Sequence, residues 1–295
     1  MWFWLLVIGG FFKSVHWLLE RFILRDEQES VTFSFFLQFS SVIMLAPLLL
    51  FRSNFPGEIF PYLILLLVGV LDTLAVLLIK ESVRLLEASF RTVIYQIRTF
   101  FVLIFAFFLL GESLSLNKVI GSIFIVSGIV IAVFQKRKIN WFQKIFGRIF
   151  ARKEQKTAGI FFTLAAALVT AFELMCLKYL LNQFAVGFTL FTVCLISTFL
   201  FLLVVPNLIT RTLNLIRGEK RKLIFLNAFL ANISWVLFFW ATSMTEASKT
   251  QPISQGMTVL TILGGIIFLK ERERIWQKIL GGILAVIGVI LVKGS

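Results

Sequence analysis

The sequence predicts an all-α integral membrane protein whose ten transmembrane helices form two inverted five-helix repeats. Three observations carry that expectation: a mean hydropathy of +0.96, ten long apolar runs, and short motifs that recur about half a chain apart. Of 295 residues, 59% are hydrophobic and 15% charged, which is too apolar for an ordinary water-soluble globule. The cysteines are Cys176 and Cys194 and the histidine is His16. That inventory excludes a disulfide scaffold or a multi-His or Cys-based metal centre as the organising principle, and no cofactor is expected.

A helix crossing a bilayer needs about 20 mostly apolar residues. Such runs cover 2–24, 31–51, 59–79, 88–110 and 118–134, then 159–181, 187–208, 223–241, 250–269 and 279–292. Helices are favoured because lipid offers no partner for a free N–H or C=O, and the period-two alternation of a barrel is absent. The first run opens on Trp2 and Trp4 without a basic leader or a small-residue cleavage site, so it reads as a retained span. Residues 1–134 then form the first repeat, 135–158 a basic amphipathic connector, and 159–295 the second repeat. The connector carries Lys136, Arg137, Lys138, Lys144, Arg148, Arg152, Lys153 and Lys156, interleaved with aromatics such as Trp141, as expected of an interfacial helix on anionic lipid. Trp141, Trp240 and Trp276 suit interfacial anchoring.

The net charge of +14 is spread over the membrane-flanking connectors, so the expected partners are phospholipid headgroups and not nucleic acid. Of the 29 lysines and arginines, 21 fall in connectors on one side and 5 on the other, while Lys13, Arg91 and Arg98 lie within spans. The excess of bases on the cytoplasmic side predicts a multi-pass protein of the cell (cytoplasmic or inner) membrane with both termini outside the cytoplasm.

Glu87-Ala-Ser89 recurs as Glu246-Ala-Ser248, and at the same offset of 159 Gln96 meets Gln255, Thr99 meets Thr258 and Glu112 meets Glu271. At an offset of 160, Lys118, Gly121 and Gly128 meet Lys278, Gly281 and Gly288. An odd number of spans per copy turns the second copy upside down, the inverted-repeat architecture of many secondary transporters. Gly121 and Gly128, and likewise Gly281 and Gly288, share a helix face, and close helix packing is their expected role. Glu87, Glu112, Glu246 and Glu271 lie at span ends, where capping or pairing with nearby bases is expected.

The run Glu87-Ala-Ser, an apolar span, Gly111-Glu112, then Lys118-x-x-Gly121 and Gly128, repeated as Glu246-Ala-Ser, Lys270-Glu271, Lys278-x-x-Gly281 and Gly288, resembles the EamA-type branch of the drug/metabolite transporter superfamily. The resemblance covers essentially the whole chain and implies a ten-helix permease with a central cavity, moving small metabolites, often amino acids or other polar solutes. The chain departs from the family pattern at Thr99 and Thr258, where many members carry a kinking proline. The resemblance also implies cytoplasmic termini, against the charge count; the expectation adopted here follows the count.

Charged groups at membrane depth cost about 2.5–3.5 kcal/mol each on insertion scales, which makes them candidate functional residues. Lys13, His16 and Glu20 fall on one face of the first span, which should point inward. A local neutralising pair is one reading; the other makes Lys13 an anion contact and His16 a proton-coupling group. In the fourth span Arg91 and Arg98 form one stripe, with Thr92, Gln96 and Thr99 on another; Gln251 and Gln255 answer in the ninth. These side chains, with Asn232 in the eighth span, are the candidate substrate contacts, Arg98 being suited to a carboxylate or phosphate. Interhelical hydrogen bonding is the structural alternative. Asp72 and Glu173 are candidate proton carriers, Glu173 falling opposite His16 in the repeat alignment. Trp235 reads as packing.

The leading expectation is a secondary permease for a small polar metabolite, amino acid-like or anionic, working by alternating access with proton or ion coupling. A lipid-linked carrier flippase or a non-transporting membrane scaffold is the alternative. An enzyme is not expected, because no metal-binding, nucleophilic or Gly-rich nucleotide motif is present. The sequence leaves the oligomeric state open.

Overall fold

The computed structural model describes residues 1–23, 30–50, 55–86, 88–133, 149–260 and 275–295. Among them there are helices and no strands. In chain order the helices are α1 (Trp2–Ile23), α2 (Ser30–Leu45, running into a 3-10 turn at Ala46–Leu50), α3 (Phe60–Leu85), α4 (Ala88–Tyr95), α5 (Arg98–Leu110), α6 (Leu116–Val133), α7 (Ile149–Gln183), α8 (Val186–Val204), α9 (Leu208–Arg217), α10 (Arg221–Met244), α11 (Ala247–Gly256) and α12 (Ile275–Lys293). Eight described segments are long and apolar enough to cross a bilayer, and Leu116–Ala132 within α6 is a shorter apolar helix. The protein is therefore a multi-pass membrane protein. Large side chains such as Phe11, Leu66, Phe108, Phe161, Phe199 and Ile290 are exposed around the bundle, as a surface solvated by lipid requires.

The pairing of helices follows the internal repeat. α3 packs on α7 and α1 on α10, while α2 packs on α8 and α6 on α12. If α1 corresponds to α7, α2 to α8, α3 to α10 and α6 to α12, the first two pairs exchange and the last two map onto themselves. The α6–α12 seam makes the symmetry explicit. A Cβ on Gly121 would lie 2.7 Å from Gly288 O and one on Gly128 2.4 Å from Gly281 O, with reciprocal approaches of 2.4 and 2.3 Å. Residue order runs oppositely along the two helices, so they are antiparallel, and glycine is what allows the backbones to meet.

Connectivity sorts the two ends of the bundle. Lys293 Nζ stands 4.4 Å from the centre of the Phe3 ring, so both termini share one end, the terminal end. At the opposite, basic end Lys220 Nζ donates to Ile23 O at 3.1 Å, tying α10 to the close of α1. Two clefts open there, of about 220 and 550 Å³, and Arg211 lines both. Neither is lined by Arg98, Gln96 or Gln255.

Several boundaries differ from the sequence reading. The fourth span is not continuous: it breaks at Gln96–Ile97 between α4 and α5. Residues 149–158, expected in the connector, extend α7 toward the basic end. The seventh span stops at Val204, and α9 occupies the connector that follows. Expectations for most of the connector, for the later half of the ninth span, and for Glu87, Trp141, Lys270 and Glu271 lie outside the described residues.

Candidate functional site

The break in the fourth span sets the position of the central polar groups. Around it the amide of Gln96 bonds to Val93 O at 3.3 Å and that of Ile97 to Ile94 O at 3.1 Å. These three-residue links tighten the turn and end the α-helical ladder. The repeat-related α11 stops at Gly256, with Met257 in a turn. Two interrupted helices at equivalent positions resemble the discontinuous helices that frame binding sites in inverted-repeat transporters. No proline stands at either break; Pro252 lies one turn earlier in α11. Among the described residues, Gln96 Oε1, Arg98 Nε, Thr99 Oγ1 and Gln251 Nε2 are buried without a hydrogen-bond partner. Buried groups in that condition cost about 1–3 kcal/mol each, and these four gather at the two breaks.

Ionisable groups from four helices converge there. Arg98 Nη2 donates to Thr170 O at 3.3 Å, and Lys13 and Glu173 lie within electrostatic reach of its guanidinium. Lys13 Nζ reaches Ser254 Oγ of α11 at 3.4 Å and lies over the Trp17 ring. Glu173 also faces Asp72. Asp72 is buried, its Oδ2 accepting from Gln38 Nε2 at 2.5 Å and Ser197 Oγ at 2.6 Å. The site therefore has a cationic pole, Lys13 and Arg98, joined to an acidic pole, Glu173 and Asp72. Each pole sets like charges near one another, and Arg98 with Glu173 is the link.

Comparison with known proteins fits this architecture. The model of the EamA-like transporter family matches residues 1–134 and 157–294. The chain belongs to the EamA-like transporter family. A solved crystal structure with 15% sequence identity superposes at a TM-score of 0.69, covering 97% of this chain and 95% of the other; that likeness shows the shared fold. No curated protein matches the chain in sequence. Membership of a transporter family accounts for a multi-pass chain whose polar groups gather inside the bundle.

The remaining candidates of this EamA-like chain distribute as follows. His16 is buried and donates from Nδ1 to Asn227 Oδ1 at 2.9 Å, with Nε2 3.7 Å from Glu20; it is thus locally paired at the basic side of the centre. Arg91 lies within electrostatic reach of Tyr95 and Glu20. Asn232 is buried and donates to Ala228 O at 2.8 Å and to Ser40 Oγ at 3.4 Å, so its amide bridges α10 to α2. Gln255 and Gln251 are buried in α11, which packs against α5. Trp235, read as packing, is 46% exposed and has its ring 6.1 Å from that of Phe239. Both cysteines are free and buried. The sequence reading missed Gln38, Thr170, Ser197, Asn227 and Ser254. Gln38 had a usable signal as the lone amide in its span; single hydroxyls in apolar runs do not.

The terminal end is closed by a different network, and it explains the repeated motifs. Gly111, at φ 65°, ends α5 in the left-handed region, which glycine adopts without strain. The chain then delivers Glu112, whose Oε1 and Oε2 accept from the amides of Ala247 and Ser248 at 2.8 and 2.9 Å. The first repeat thereby caps a helix of the second. Lys118, fully buried, pairs with Glu246 at 2.6 Å, and Lys178 Nζ donates to Thr242 O at 2.7 Å. Burial raises the Glu246 carboxyl, but Lys118 and Lys249 outweigh it and hold Glu246 below the usual carboxylate range. The capping and pairing expected of Glu112 and Glu246 are what the structure contains.

Proposed function

We propose that this EamA-like transporter is a secondary-active carrier of a small polar metabolite with an anionic group, amino acid-like or a simple anionic solute. It works by alternating access and couples to protons through Glu173, Asp72 or His16. The observation that carries the reading is the Lys13–Arg98–Glu173–Asp72 string between two interrupted helices. Lys13 and Arg98 repel, and an anion between them relieves that repulsion; Arg98 offers a carboxylate or phosphate two parallel N–H donors. Asp72 and Glu173 repel in turn, and a proton relieves them. Because Arg98 serves both poles, an anion that draws the guanidinium away from Glu173 favours protonation of the acidic pair. Solute and proton occupancy are thereby linked.

The same reading takes the chain as ten spans. Termini at one end require an even number of crossings, and α6 together with the span that begins at α11 completes the eight long ones. In inverted repeats the site stays near the midplane while the halves rock about it. The terminal end is fastened by Glu112 and Lys118, which supports a state closed on that side. The excess of bases at the other end supports a cell membrane location with the basic end in the cytoplasm.

A thermal-shift panel on purified protein tests the substrate class. Amino acids, organic acids and sugar phosphates should raise the melting temperature, and Arg98→Ala should abolish the rise while Arg98→Lys keeps part of it. Stabilisation by organic cations alone would overturn the anionic reading and move the ligand to Asp72 and Glu173.

A further inference from the structure

The imidazole of His16 stands between two acceptors. Its Nδ1 donates to Asn227 Oδ1 of α10 at 2.9 Å, and its Nε2 is 3.7 Å from Glu20 Oε2, one turn further along α1. α1 and α10 pack against each other, so the three side chains share one interhelical seam. His16 is 6% exposed and Asn227 fully buried, whereas the Glu20 side chain is 27% exposed. An amide oxygen only accepts, so Nδ1 carries the ring's own proton. A neutral ring in that tautomer turns the lone pair of Nε2 toward the Glu20 carboxylate, and two acceptors oppose each other inside the bundle. One further proton between Nε2 and Oε2 converts that opposition into attraction. Asn227 Nδ2 is buried without a partner among the described residues, so no competing bond of that amine turns the amide away from the ring.

We propose that His16 and Glu20 form a proton-binding pair on the basic-end side of the central site, and that Asn227 is the residue that positions the imidazole for it. The inference rests on the transport reading and deepens it by naming the atoms that exchange the proton and the group that orients them. A proton arriving from the basic end bonds to Glu20 Oε2, the more exposed partner. It then passes to Nε2, the O–H bond breaking as the N–H bond forms, and release runs the same steps backwards. Nδ1–H stays on Asn227 throughout. Lys13 lies one turn before His16, and its Nζ reaches Ser254 Oγ at 3.4 Å. A proton on the pair therefore adds positive charge beside the cationic pole and favours an anion there, and by reciprocity the anion favours the proton. Other charges act on the pair: Lys13 lies within electrostatic reach of the ring, and Lys80 and Arg91 within reach of Glu20. The charges of α10 are Arg221 and Lys222 at its start, and that of α11 is Lys249 in its first turn.

The chain has a single histidine, so ring nitrogens enriched in the heavy isotope report His16 alone by NMR, on protein purified with a tag free of histidine. Between about pH 5 and 8, the Nε2 resonance should move from the protonated to the bare position while Nδ1 stays protonated. Glu20→Gln should weaken proton binding by about tenfold or more, read from the titration midpoint. Asn227→Ala should send the proton of the neutral ring to Nε2, and Asn227→Asp, which keeps an acceptor, should hold it on Nδ1. A neutral ring protonated on Nε2 in the unsubstituted protein, a ring that does not titrate in that range, or a midpoint unmoved by Glu20→Gln would each overturn the pair. An unchanged tautomer in Asn227→Ala would overturn the positioning role of Asn227. The pH profile of solute uptake, taken with the same pH on both sides of proteoliposomes, should move with the midpoint in Glu20→Gln; a profile that stays put would remove the pair from the transport cycle. The two claims fail separately. An NMR result against the pair leaves the central site and its other proton carriers standing, whereas the expected NMR result without solute flux through the unsubstituted protein removes the transport reading and the pair's role within it.

Discussion

Replacing Glu112 with glutamine should loosen the start of α11 while leaving the bundle assembled. The N-cap position of α11 is Glu246, whose side chain makes no capping bond because it pairs with Lys118 and Lys249. The amides of Ala247 and Ser248 therefore depend on Glu112 at 2.8 and 2.9 Å. Hydrogen bonds to a charged group contribute about 1.5–3 kcal/mol each, and a carboxylate at a helix N-terminus adds about 0.3–1 kcal/mol. Glutamine keeps one acceptor oxygen, so one bond and the charge are lost, about 2–4 kcal/mol together. At about 1.4 kcal/mol per tenfold, amide exchange over residues 247–250 should quicken by roughly 30- to 700-fold. Hydrogen exchange read by mass spectrometry on protein in detergent checks it, with the α6–α12 seam as internal reference. Exchange at 247–250 within about twofold of the unsubstituted protein, or acceleration spread equally over the seam, would refute the assignment of Glu112 as the cap.

Three further outcomes follow from named contacts. Gly128→Val sets new atoms against Gly281 O and Ala285 N, both backbone and 2.4 and 2.8 Å from the added Cβ; the seam should weaken by about 1–3 kcal/mol or more, seen as a lower melting temperature, while Gly57→Val, with open space around it, should not. Glu246 is held below the usual carboxylate range by Lys118 and Lys249, so its contribution is full above the unfolded value of about 4.3 and is lost as pH falls through the lower folded value. Melting temperature should drop in acid below about pH 4, and Glu246→Gln should flatten that part of the curve. Asp72→Asn keeps the shape of the Gln38–Asp72–Ser197 cluster and removes its charge; flux in proteoliposomes should persist but lose its response to an imposed pH gradient.

Much of this fold was legible because lipid imposes it. A helix must satisfy its backbone internally and present apolar side chains outward, so hydropathy alone located the long spans, and the recurrence of Glu-Ala-Ser and the paired glycines exposed the duplication. The glycines were readable as packing because nothing but a missing side chain suits a backbone-to-backbone seam. The break at Gln96–Ile97 was not legible, because no proline stands there to announce the three-residue links that replace the helical ladder. The extension of α7 below Gly159 was hidden for a related reason, since basic residues at a span end suit a connector and a protruding helix equally. At the site, the charged residues announced themselves by their cost in lipid, whereas their partners Thr170, Ser197 and Ser254 are small hydroxyls of a kind found throughout the apolar runs. Their roles depend on which helices face one another.

Solute uptake into proteoliposomes bearing Arg98→Ala, Arg98→Lys or no substitution tests the central claim most directly. With a carboxylate- or phosphate-bearing solute that stabilises the purified protein, the unsubstituted carrier should accumulate it. Arg98→Ala should fall to the level of empty liposomes, and Arg98→Lys should retain a measurable fraction. Uptake by Arg98→Ala equal to that of the unsubstituted protein would contradict a solute path that runs past this guanidinium.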